Sequence, residues 1–448
     1  MSEEGRMTGN YVAAVIGGAC AGSEIAAQLS ELGMDVVVFD QNPLPYGKIE
    51  DGLPRWHVKL QNKEKASIDE KMSRPNVHFV PQCKLGEDLT LDGLRREWGL
   101  PLVVMANGAW RDRSLSVEGV EQVTDDSFVY QNDFVYWFNH YPEKNFGSKA
   151  YRALPGTVVV GGGLASIDVV KICMFELVTG ALKARGHEVD VLELEHYGIF
   201  KALEKRGLGW EELNLQPARL FYRKRVRDMP LVPLGDDPDP DKLEKAKLVR
   251  EKIINNACTR YGFEVYPLRS PLRVHVQDGT VRAVTFRKMA YRDGRFTETG
   301  ETETVETRLL ISSIGSIPEP IRGVPMDGEL YLWEDRFTGE VKNMSGVYCV
   351  GNAITGRGNI KDSLQNARRL GTLVANAFEG TEPDYEAWFK SQREQAKAHV
   401  ARLLAYLRGM PPMTEEAKAA VLARVRRLQE EKGALDYGAW RDSVLSQR

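Results

Sequence analysis

The chain has 448 residues, of which 42% are hydrophobic and 27% are charged, and its formal net charge is −3. This length and this ordinary composition indicate two or three domains with sizeable cores. The nearly balanced charge gives no global field that would recruit nucleic acid or a membrane surface, and no apolar run approaches the roughly 20 residues that a membrane span needs.

The cysteines and the first residues indicate the compartment. The five cysteines are scattered, and none forms a closely spaced pair. A redox-active disulfide, a zinc ribbon and an iron–sulfur cluster all need closely spaced thiolates, so the pattern argues against these sites and no metal site is predicted. The polar N-terminal stretch contains no signal-peptide core. A cytoplasmic protein with reduced thiols is therefore expected.

The first predicted unit is a strand, a turn, a helix and a second strand within about 30 residues, the size that a dinucleotide-binding fold requires. Val12 to Ile16 is predicted to be a buried strand, and Val36 to Phe39 the next one. The helix is predicted from Gly22 to Leu32. Between the first strand and the helix lies the glycine-rich turn Gly17-Gly18-Ala19-Cys20-Ala21-Gly22.

This first turn is predicted to bind FAD. Gly17 permits the tight turn and Gly22 lets the helix pack close to the strand, while backbone amides at the helix start hold the pyrophosphate. Asp40 follows about 18 residues after Gly22, where a carboxylate accepts hydrogen bonds from the adenosine ribose. Ala19 stands where a middle glycine is usual, and Ala21 completes the predicted contacts of the turn.

The next segments are predicted to finish the first domain. A Pro/Gly-rich loop from Pro43 to Pro54 is followed by strands at Val77 to Val80 and Leu102 to Met105. Asn107-Gly108-Ala109 then forms a tight turn. The aromatic, turn-rich stretch from Leu115 to Tyr151 is interpreted as the crossing to a second domain.

A second glycine-rich turn, Gly161-Gly162-Gly163-Leu164-Ala165-Ser166, follows the predicted strand from Thr157 to Val160. Gly161 and Gly163 keep the required positions, and Ser166 is a small replacement for the third glycine. Two such turns, each between a strand and a helix, predict that the chain holds two dinucleotides at once. The usual reason for this arrangement is hydride transfer between them.

Two interpretations of the second nucleotide's identity remain open at the sequence level. In the first, the strand from Arg219 to Tyr222 ends at Arg223 and Lys224, whose cations suit the 2′-phosphate of NADP. In the second, Val189 to Leu192 is the strand, and Glu193 is the acid that an NAD site offers to the ribose.

The remaining elements are predicted from hydrophobic and turn patterns alone. A helical insertion is expected at about 190–215, and the tail from Tyr385 to Arg448 is mostly amphipathic helix interrupted at Pro411-Pro412. Between them the pattern predicts the following elements: a helix from Asp241 to Tyr261, strands within Gly262 to Lys288 around the Gln277-Asp278-Gly279 turn, and strands at Leu309 to Ile314 and Gly346 to Val350.

The predicted architecture is an α/β fold with two Rossmann-like, three-layer dinucleotide-binding domains, the second inserted in the first. The FAD-binding domain comprises residues 1–117 and 316–384, and the NADP-binding domain comprises residues 118–315. A C-terminal helical extension comprises residues 385–448.

Several of these segments resemble the adrenodoxin reductase and glutamate synthase small subunit family of flavoprotein reductases, over roughly residues 11–380. The segments that carry the resemblance are the string from Gly161 to Asp168, the stretch from Tyr222 to Pro230, Gly52-Leu53-Pro54 with His57 and Lys59, the Asn107-Gly108-Ala109 turn, Val350-Gly351-Asn352-Ala353 and Gly356-Arg357-Gly358-Asn359-Ile360. The departures are Ala19, Asn352 where related flavoproteins often have Asp, the insertion and the extension.

The resemblance implies FAD and NADP(H) as cofactors, with hydride transfer from NADPH to FAD and then electron transfer to a ferredoxin-like protein. It names His57 and Lys59 as candidate catalytic residues. The further flavin contacts that it implies are Gly47, Gly108, Ala109, Gly351, Asn352, Gly358, Asn359 and Ile360.

A basic surface formed by Arg55, Lys59, Lys63 and Lys65 is the candidate docking site for an acidic ferredoxin. The C-terminal helices could serve dimerisation, partner docking or simple packing. Two alternatives stay open beside the reductase: an electron-input subunit of a larger redox complex, and a nucleotide-sensing binding protein without turnover.

Overall fold

The computed structural model describes residues 10–232, 240–335, 339–355 and 385–448. Two largely parallel sheets organise them. The first sheet has seven strands, in the spatial order β17 (Trp333–Asp335), β18 (Glu340–Val341), β19 (Val347–Cys349), β4 (Leu102–Met105), β1 (Val12–Ile16), β2 (Asp35–Phe39) and β3 (Val77–Val80). From β19 to β3 all neighbours are parallel, while β17 and β18 add antiparallel edge strands.

Helices cover both faces of this first sheet, which explains why its central strands are continuous apolar runs. All five residues of β1 are buried. The helices of this part of the chain are α1 (Cys20–Glu31), α2 (Lys48–Asp51), α3 (Val58–Met72), a five-residue π-helix (Gly93–Glu97) and α9 (Asn352–Thr355).

The second sheet has five strands, all parallel, in the order β6 (Phe128–Tyr130), β13 (Leu310–Ser313), β7 (Val158–Gly161), β8 (Arg219–Tyr222) and β9 (Glu264–Pro267). Its helices are α4 (Gln131–His140), α5 (Leu164–Lys183), α6 (Val191–Tyr197), α7 (Ile199–Glu204) and α8 (Pro240–Tyr261). The central helix α5 is largely buried and supplies much of this core. The segment from Leu115 to Tyr151 was predicted to be a crossing between the domains. However, β6 and α4 lie within it and belong to the second unit, so only its first part connects the two units.

A three-stranded antiparallel sheet extends the second unit: β10 (Arg269–Gln277), β11 (Thr280–Arg292) and β12 (Arg295–Glu306). Its two turns are Asp278-Gly279 and Asp293-Gly294, and all four residues have positive φ angles of 50° to 78°. This is the geometry of the tight hairpin turn that favours Asp-Gly. The sequence pattern predicted strands around the first turn but missed β12.

The chain crosses between the sheets twice, and the two crossings pair with each other. β5 (Arg111–Asp112) runs antiparallel to β14 (Ser316–Ile317). The hairpin of β15 (Met326–Asp327) and β16 (Leu330–Tyr331) then leads back to the first sheet. The second unit therefore lies within the chain of the first, and the predicted α/β fold with two dinucleotide-binding units is confirmed. The residues assigned to each domain boundary stay predictions.

The C-terminal helices α10 (Tyr385–Arg408), α11 (Glu415–Lys432) and α12 (Tyr437–Ser446) pack on the first sheet. The buried face of α10 lies against α1 and joins the core on one side, whereas Val421 and Val425 of α11 join the core on the other side. The helical extension is therefore an integral layer of the first unit. Its predicted role in dimerisation stays a prediction.

Polar contacts fix the last helix to the same unit. Asp69 of α3 accepts hydrogen bonds from the Tyr437 hydroxyl and, at 2.9 Å, from the Tyr46 hydroxyl. The indole of Trp440 donates to the Pro43 carbonyl at 2.7 Å. Within the part of the chain that the structure describes, no helix combines the length and the apolar character of a membrane span.

The packing of α10 yields a stability prediction. Leu403 is fully buried against the first sheet, so Leu403→Ala is expected to lower the free energy of unfolding by about 2–4 kcal/mol in urea titrations. Leu435 is 53% exposed, and Leu435→Ala is the matched control, with an expected loss below about 0.5 kcal/mol. Equal losses for the two variants would contradict the role of α10 as part of the core.

Candidate functional site

A cavity of about 1010 Å³ joins the two glycine-rich turns. Its walls include the carboxyl ends of β1 and β7, where α1 and α5 begin. This is the edge at which open α/β sheets bind their ligands. The volume lies at the upper end of the usual range for small-molecule pockets, about 300–1,000 Å³, so the cavity has room for large ligands.

In the first turn, close backbone packing explains why glycine stands at positions 17 and 22. Gly17 has φ +95°, and a Cβ on it would lie 2.6 Å from the Ala106 carbonyl oxygen. A Cβ on Gly22 would clash with the Gly17 carbonyl oxygen. Ala19 precedes α1 and caps it with no side-chain hydrogen bond, so the first amides of the helix are available to an anion.

Asp40 directly follows β2 and lines the same cavity. Its carboxylate accepts hydrogen bonds from the backbone amides of Gly18, at 2.8 Å, and Asn42, at 2.9 Å. The side chain is almost fully buried, and burial raises its pKa to about 6. The structure thus places the predicted ribose acceptor beside the predicted pyrophosphate turn.

The other predicted flavin contacts divide into three groups. Those that line the cavity with Asp40 are Gly17, Ala19, Ala21, Gly47, Gly108, Ala109, Gly351 and Asn352. Gly22 lies behind the turn, where it serves the packing of α1. Gly358, Asn359 and Ile360 lie outside the described residues.

The second turn is built by the same principle and is held by a serine. A Cβ on Gly161 would clash with the Ser313 carbonyl oxygen, and a Cβ on Gly162 would clash with the Tyr222 ring. The Ser166 hydroxyl accepts from the Gly163 amide at 3.1 Å and donates to the Ser313 carbonyl at 3.2 Å. The residues of this turn that line the cavity include Gly161, Gly163, Leu164, Ala165 and Ser166.

The sheet order decides between the two interpretations of the second nucleotide site. β8 pairs directly with β7, so the strand that follows α5 in the sheet ends at Tyr222. Arg223 and Lys224 come immediately after it and line the cavity. The alternative is wrong: no strand forms at 189–192, because α6 begins at Val191. Glu193 lies outside the cavity lining and pairs with Arg206 at 2.9 Å.

Aromatic residues of the hairpin formed by β11 and β12 contact the cations that follow β8. The sequence analysis did not predict this hairpin. The Arg225 guanidinium lies 3.7 Å from the centre of the Tyr291 ring, and the Lys224 ammonium lies 5.5 Å from the centre of the Phe296 ring. Both rings flank the Asp293-Gly294 turn. That turn, flanked by aromatic residues, is the sequence signal from which the hairpin could have been predicted.

Two further arginines of the antiparallel sheet, Arg269 and Arg287, also line the cavity. Each is paired with a glutamate of β12, Arg269 with Glu303 at 2.7 Å and Arg287 with Glu298 at 3.0 Å. These two arginines are more than 100 residues from the second glycine-rich turn in the sequence, and the antiparallel sheet brings them to the cavity. The sequence near them therefore contains no motif that predicts this position.

The two candidate catalytic residues do not line the cavity. His57 lies in a short 3-10 helix with its ring centre 5.1 Å from that of Tyr385. Burial, with a contribution from the charge of Lys171, lowers the pKa of His57 to about 3, so its imidazole is neutral near pH 7. Lys59 is exposed on α3. Their catalytic roles stay predictions.

Most of the candidate docking cations have partners within the chain. Lys63 pairs with Glu386, and Lys65 pairs with Glu50 at 2.7 Å. The Arg55 guanidinium lies over the rings of Phe138 and Tyr141, at 4.1 and 4.6 Å, and donates to the Phe138 carbonyl. These partners reduce the positive field that the sequence alone suggests.

The C-terminal helix α10 forms part of the cavity wall, although it lies beyond the stretch that carries the family resemblance. Tyr385, Trp388, Phe389 and Gln392 line the cavity. The Tyr385 hydroxyl donates to the carboxylate of Asp168, in the first turns of α5. The sequence pattern showed that this helix is amphipathic but could not show what it covers.

Several known proteins are similar to most of the chain. No protein-family model matches the chain. The chain is 26% identical over 410 residues to the mitochondrial NADPH:adrenodoxin oxidoreductase of Salvelinus fontinalis, which covers 82% of this chain and 78% of that protein. It is 24% identical over 416 residues to NADPH-ferredoxin reductase FprA of Mycobacterium tuberculosis, covering 83% and 86%.

A shorter similarity links the chain to the glutamate synthase [NADPH] small chain of Bacillus subtilis, with 28% identity over 171 residues that cover 37% of this chain and 32% of that protein. The structure of Mycobacterium tuberculosis FprA in complex with NADPH matches the fold with a TM-score of 0.65 at 18% identity, over 94% of this chain and 91% of that one. The predicted resemblance is confirmed: the chain is similar in sequence and in fold to NADPH-dependent flavoprotein oxidoreductases of the adrenodoxin reductase and FprA type.

Proposed function

We propose that the chain is an FAD-containing NADPH oxidoreductase that delivers electrons to a ferredoxin-type protein. The observation that carries the proposal is the cavity into which both glycine-rich turns open. When bound, the flavin supplies the chemistry, because it accepts a hydride from a nicotinamide and can release electrons one at a time.

The residues of the first turn fit FAD. The start of α1 has no side-chain cap and offers its backbone amides to a pyrophosphate. Gly17 and Gly22 have no side chains that could obstruct this approach. Asp40, held by the amides of Gly18 and Asn42, keeps further lone pairs for ribose hydroxyls. Asn352 and Gly351 line the cavity near Ala21 and are proposed to contact the flavin half.

The second turn and the strand end beside it fit NADP(H). The start of α5 offers its amides at Leu164 and Ala165, while Arg223 and Lys224 supply fixed positive charge for the 2′-phosphate. The charged side chains that line the cavity are predominantly basic, as a site for two dinucleotides requires: Lys48, Lys84, Arg113, Arg223, Lys224, Arg269 and Arg287 against Asp40, Asp168, Asp228 and Glu319.

Thiol chemistry has little support as an alternative for the electron path. The five cysteines are all unpaired, and burial raises the pKa of Cys20, which lies in the first turn, to about 12. A thiol at that pKa is not a nucleophile near neutral pH. A small redox protein as acceptor is supported instead by the similarity to adrenodoxin and ferredoxin reductases. The unpaired cysteines also support the proposed cytoplasmic location.

Anaerobic stopped-flow mixing tests the proposed function. The FAD-loaded chain is mixed with NADPH or with NADH, and the visible absorbance of the flavin is followed before and after addition of an oxidised ferredoxin. NADPH is expected to bleach the flavin and ferredoxin to restore it. Absence of bleaching with both nucleotides would refute the proposed oxidoreductase activity and favour a nucleotide-sensing protein without turnover. Bleaching without reoxidation by ferredoxins would refute the proposed acceptor.

Nucleotide preference is expected to depend on Arg223 and Lys224. Charge-assisted hydrogen bonds contribute about 1.5–3 kcal/mol, so Arg223→Ala and Lys224→Ala should each raise KM for NADPH about 10- to 100-fold and leave KM for NADH nearly unchanged. Arg227 pairs with Glu251 at 3.0 Å and does not line the cavity, which makes Arg227→Ala the matched control. A parallel rise in KM for both nucleotides would count against a 2′-phosphate contact.

The affinity for FAD is expected to fall with decreasing pH. Because burial raises the pKa of Asp40 to about 6, the carboxyl group becomes protonated below that pH and accepts ribose hydrogen bonds less well. Affinity should fall by up to about tenfold between pH 7 and pH 5, as fluorescence titration of the apoprotein with FAD can measure. Asp40→Asn should bind FAD more weakly at pH 7 and lose this pH dependence. An unchanged pH profile in Asp40→Asn would exclude Asp40 as its source.

A further inference from the structure

Lys48 occupies the place where the two halves of the cavity meet. It begins α2 directly after Gly47, whose backbone approaches the first turn so closely that an added Cβ would lie 2.9 Å from the Ala19 side chain. The Lys48 ammonium donates to the Asn132 side-chain carbonyl at 2.9 Å and to the Ser316 hydroxyl at 3.0 Å.

Both partners of Lys48 come from the side of the second unit. Asn132 opens α4, which follows β6, and Ser316 lies in the return crossing β14, just after β13. The Ser316 hydroxyl in turn accepts hydrogen bonds from the side-chain amide groups of Gln131 and Asn132, each at 3.2 Å. The ammonium therefore has a fixed position between the first turn and the second sheet.

Most of the other six cations that line the cavity are compensated by ion pairs, unlike Lys48. Four of them form ion pairs with glutamates: Lys84 with Glu87 and Glu319, Arg113 with Glu329, Arg269 with Glu303 and Arg287 with Glu298. Among the described residues, no carboxylate oxygen lies within 4.0 Å of the Lys48 ammonium, and its hydrogen-bond partners are a neutral amide and a hydroxyl.

Two acids act on Lys48 through space, Asp112 and Asp51. Asp112 lies in the crossing strand β5, where one carboxylate oxygen accepts from the Asn132 backbone amide at 3.3 Å and the other has no hydrogen-bond partner among the described residues. Burial raises the pKa of Asp112 and lowers the pKa of Lys48. Asp112 therefore compensates the ammonium only in part.

We infer that Lys48 tunes the reduction potential of the flavin by holding positive charge beside its redox ring, in the zone between the two glycine-rich turns. The inference rests on the proposed function. A ring that gains negative charge on reduction is stabilised by a fixed cation in a partly buried site, where water screens the interaction weakly. Asn132 and Ser316 act as positioning residues, because they hold the ammonium in place.

Equilibrium redox titration of the FAD-loaded chain against a reference dye tests the inference. Lys48→Met removes the charge and should lower the midpoint potential by at least about 30 mV, the equivalent of a tenfold change in a two-electron equilibrium. Lys48→Arg keeps the charge and should stay close to the wild type. Asp112→Asn removes the partly compensating charge and should shift the potential upward.

Opposite shifts distinguish a charge effect from structural damage. Equal potentials in Lys48→Met and the wild type would overturn the inference, and so would shifts of the same sign in Lys48→Met and Asp112→Asn. A raised Kd for FAD or for NADPH in Lys48→Met without a change in potential would instead assign Lys48 to phosphate binding. If Lys48→Met does not fold, Asp112→Asn still decides, because an unchanged or lowered potential in that variant would overturn the inference. Each of these failures leaves the proposed function intact as long as NADPH reduces the wild-type flavin.

Discussion

The site depends on two places where the backbone leaves no room for a side chain. A Cβ on Gly22 would clash with the carbonyl oxygen of Gly17, and a Cβ on Gly161 would clash with that of Ser313. Without a side chain at these positions, α1 and α5 begin directly at the ends of β1 and β7, and their first amides point toward the cavity. The same steric constraint therefore recurs at both predicted pyrophosphate-binding turns.

The chain topology then places both glycine-rich turns at the wall of one cavity. The second sheet is inserted within the chain of the first, and the outgoing and returning segments pair as β5 and β14. This paired crossing brings the carboxyl ends of both sheets to the same cavity and places Lys48, Asn132 and Ser316 between them. An arrangement that only bound nucleotides would not need the two sites to share a cavity, whereas hydride transfer needs close approach of the reacting atoms.

The parts of the site that the sequence predicted are those that local geometry determines. Gly17, Asp40 and Gly161 each lie at or directly after a strand end within one strand–turn–helix–strand unit, so their spacing indicates their place. Arg223 also follows a strand end, but its place required the order of the strands in the second sheet. What the sequence did not reveal comes from distant parts of the chain. Tyr385 and Gln392 reach the cavity from a helix more than 200 residues after the second turn, and Arg287 reaches it through a hairpin.

His57 illustrates the opposite case. Its motif suggested a position beside the flavin, but its ring lies in a buried aromatic contact with Tyr385 and next to Trp56. Burial keeps the imidazole neutral. A local motif can indicate that a histidine is near a site, whereas its protonation state depends on the side chains that the whole fold packs around it.

Simultaneous occupancy of the cavity is the most direct test of this account. The FAD-loaded chain is titrated with NADP⁺ by calorimetry, and the FAD that remains bound is measured from its absorbance after removal of free ligand. We expect one NADP⁺ to bind per chain while the flavin is fully retained. Release of FAD in proportion to the NADP⁺ bound would show that the two nucleotides compete for one site and would contradict it.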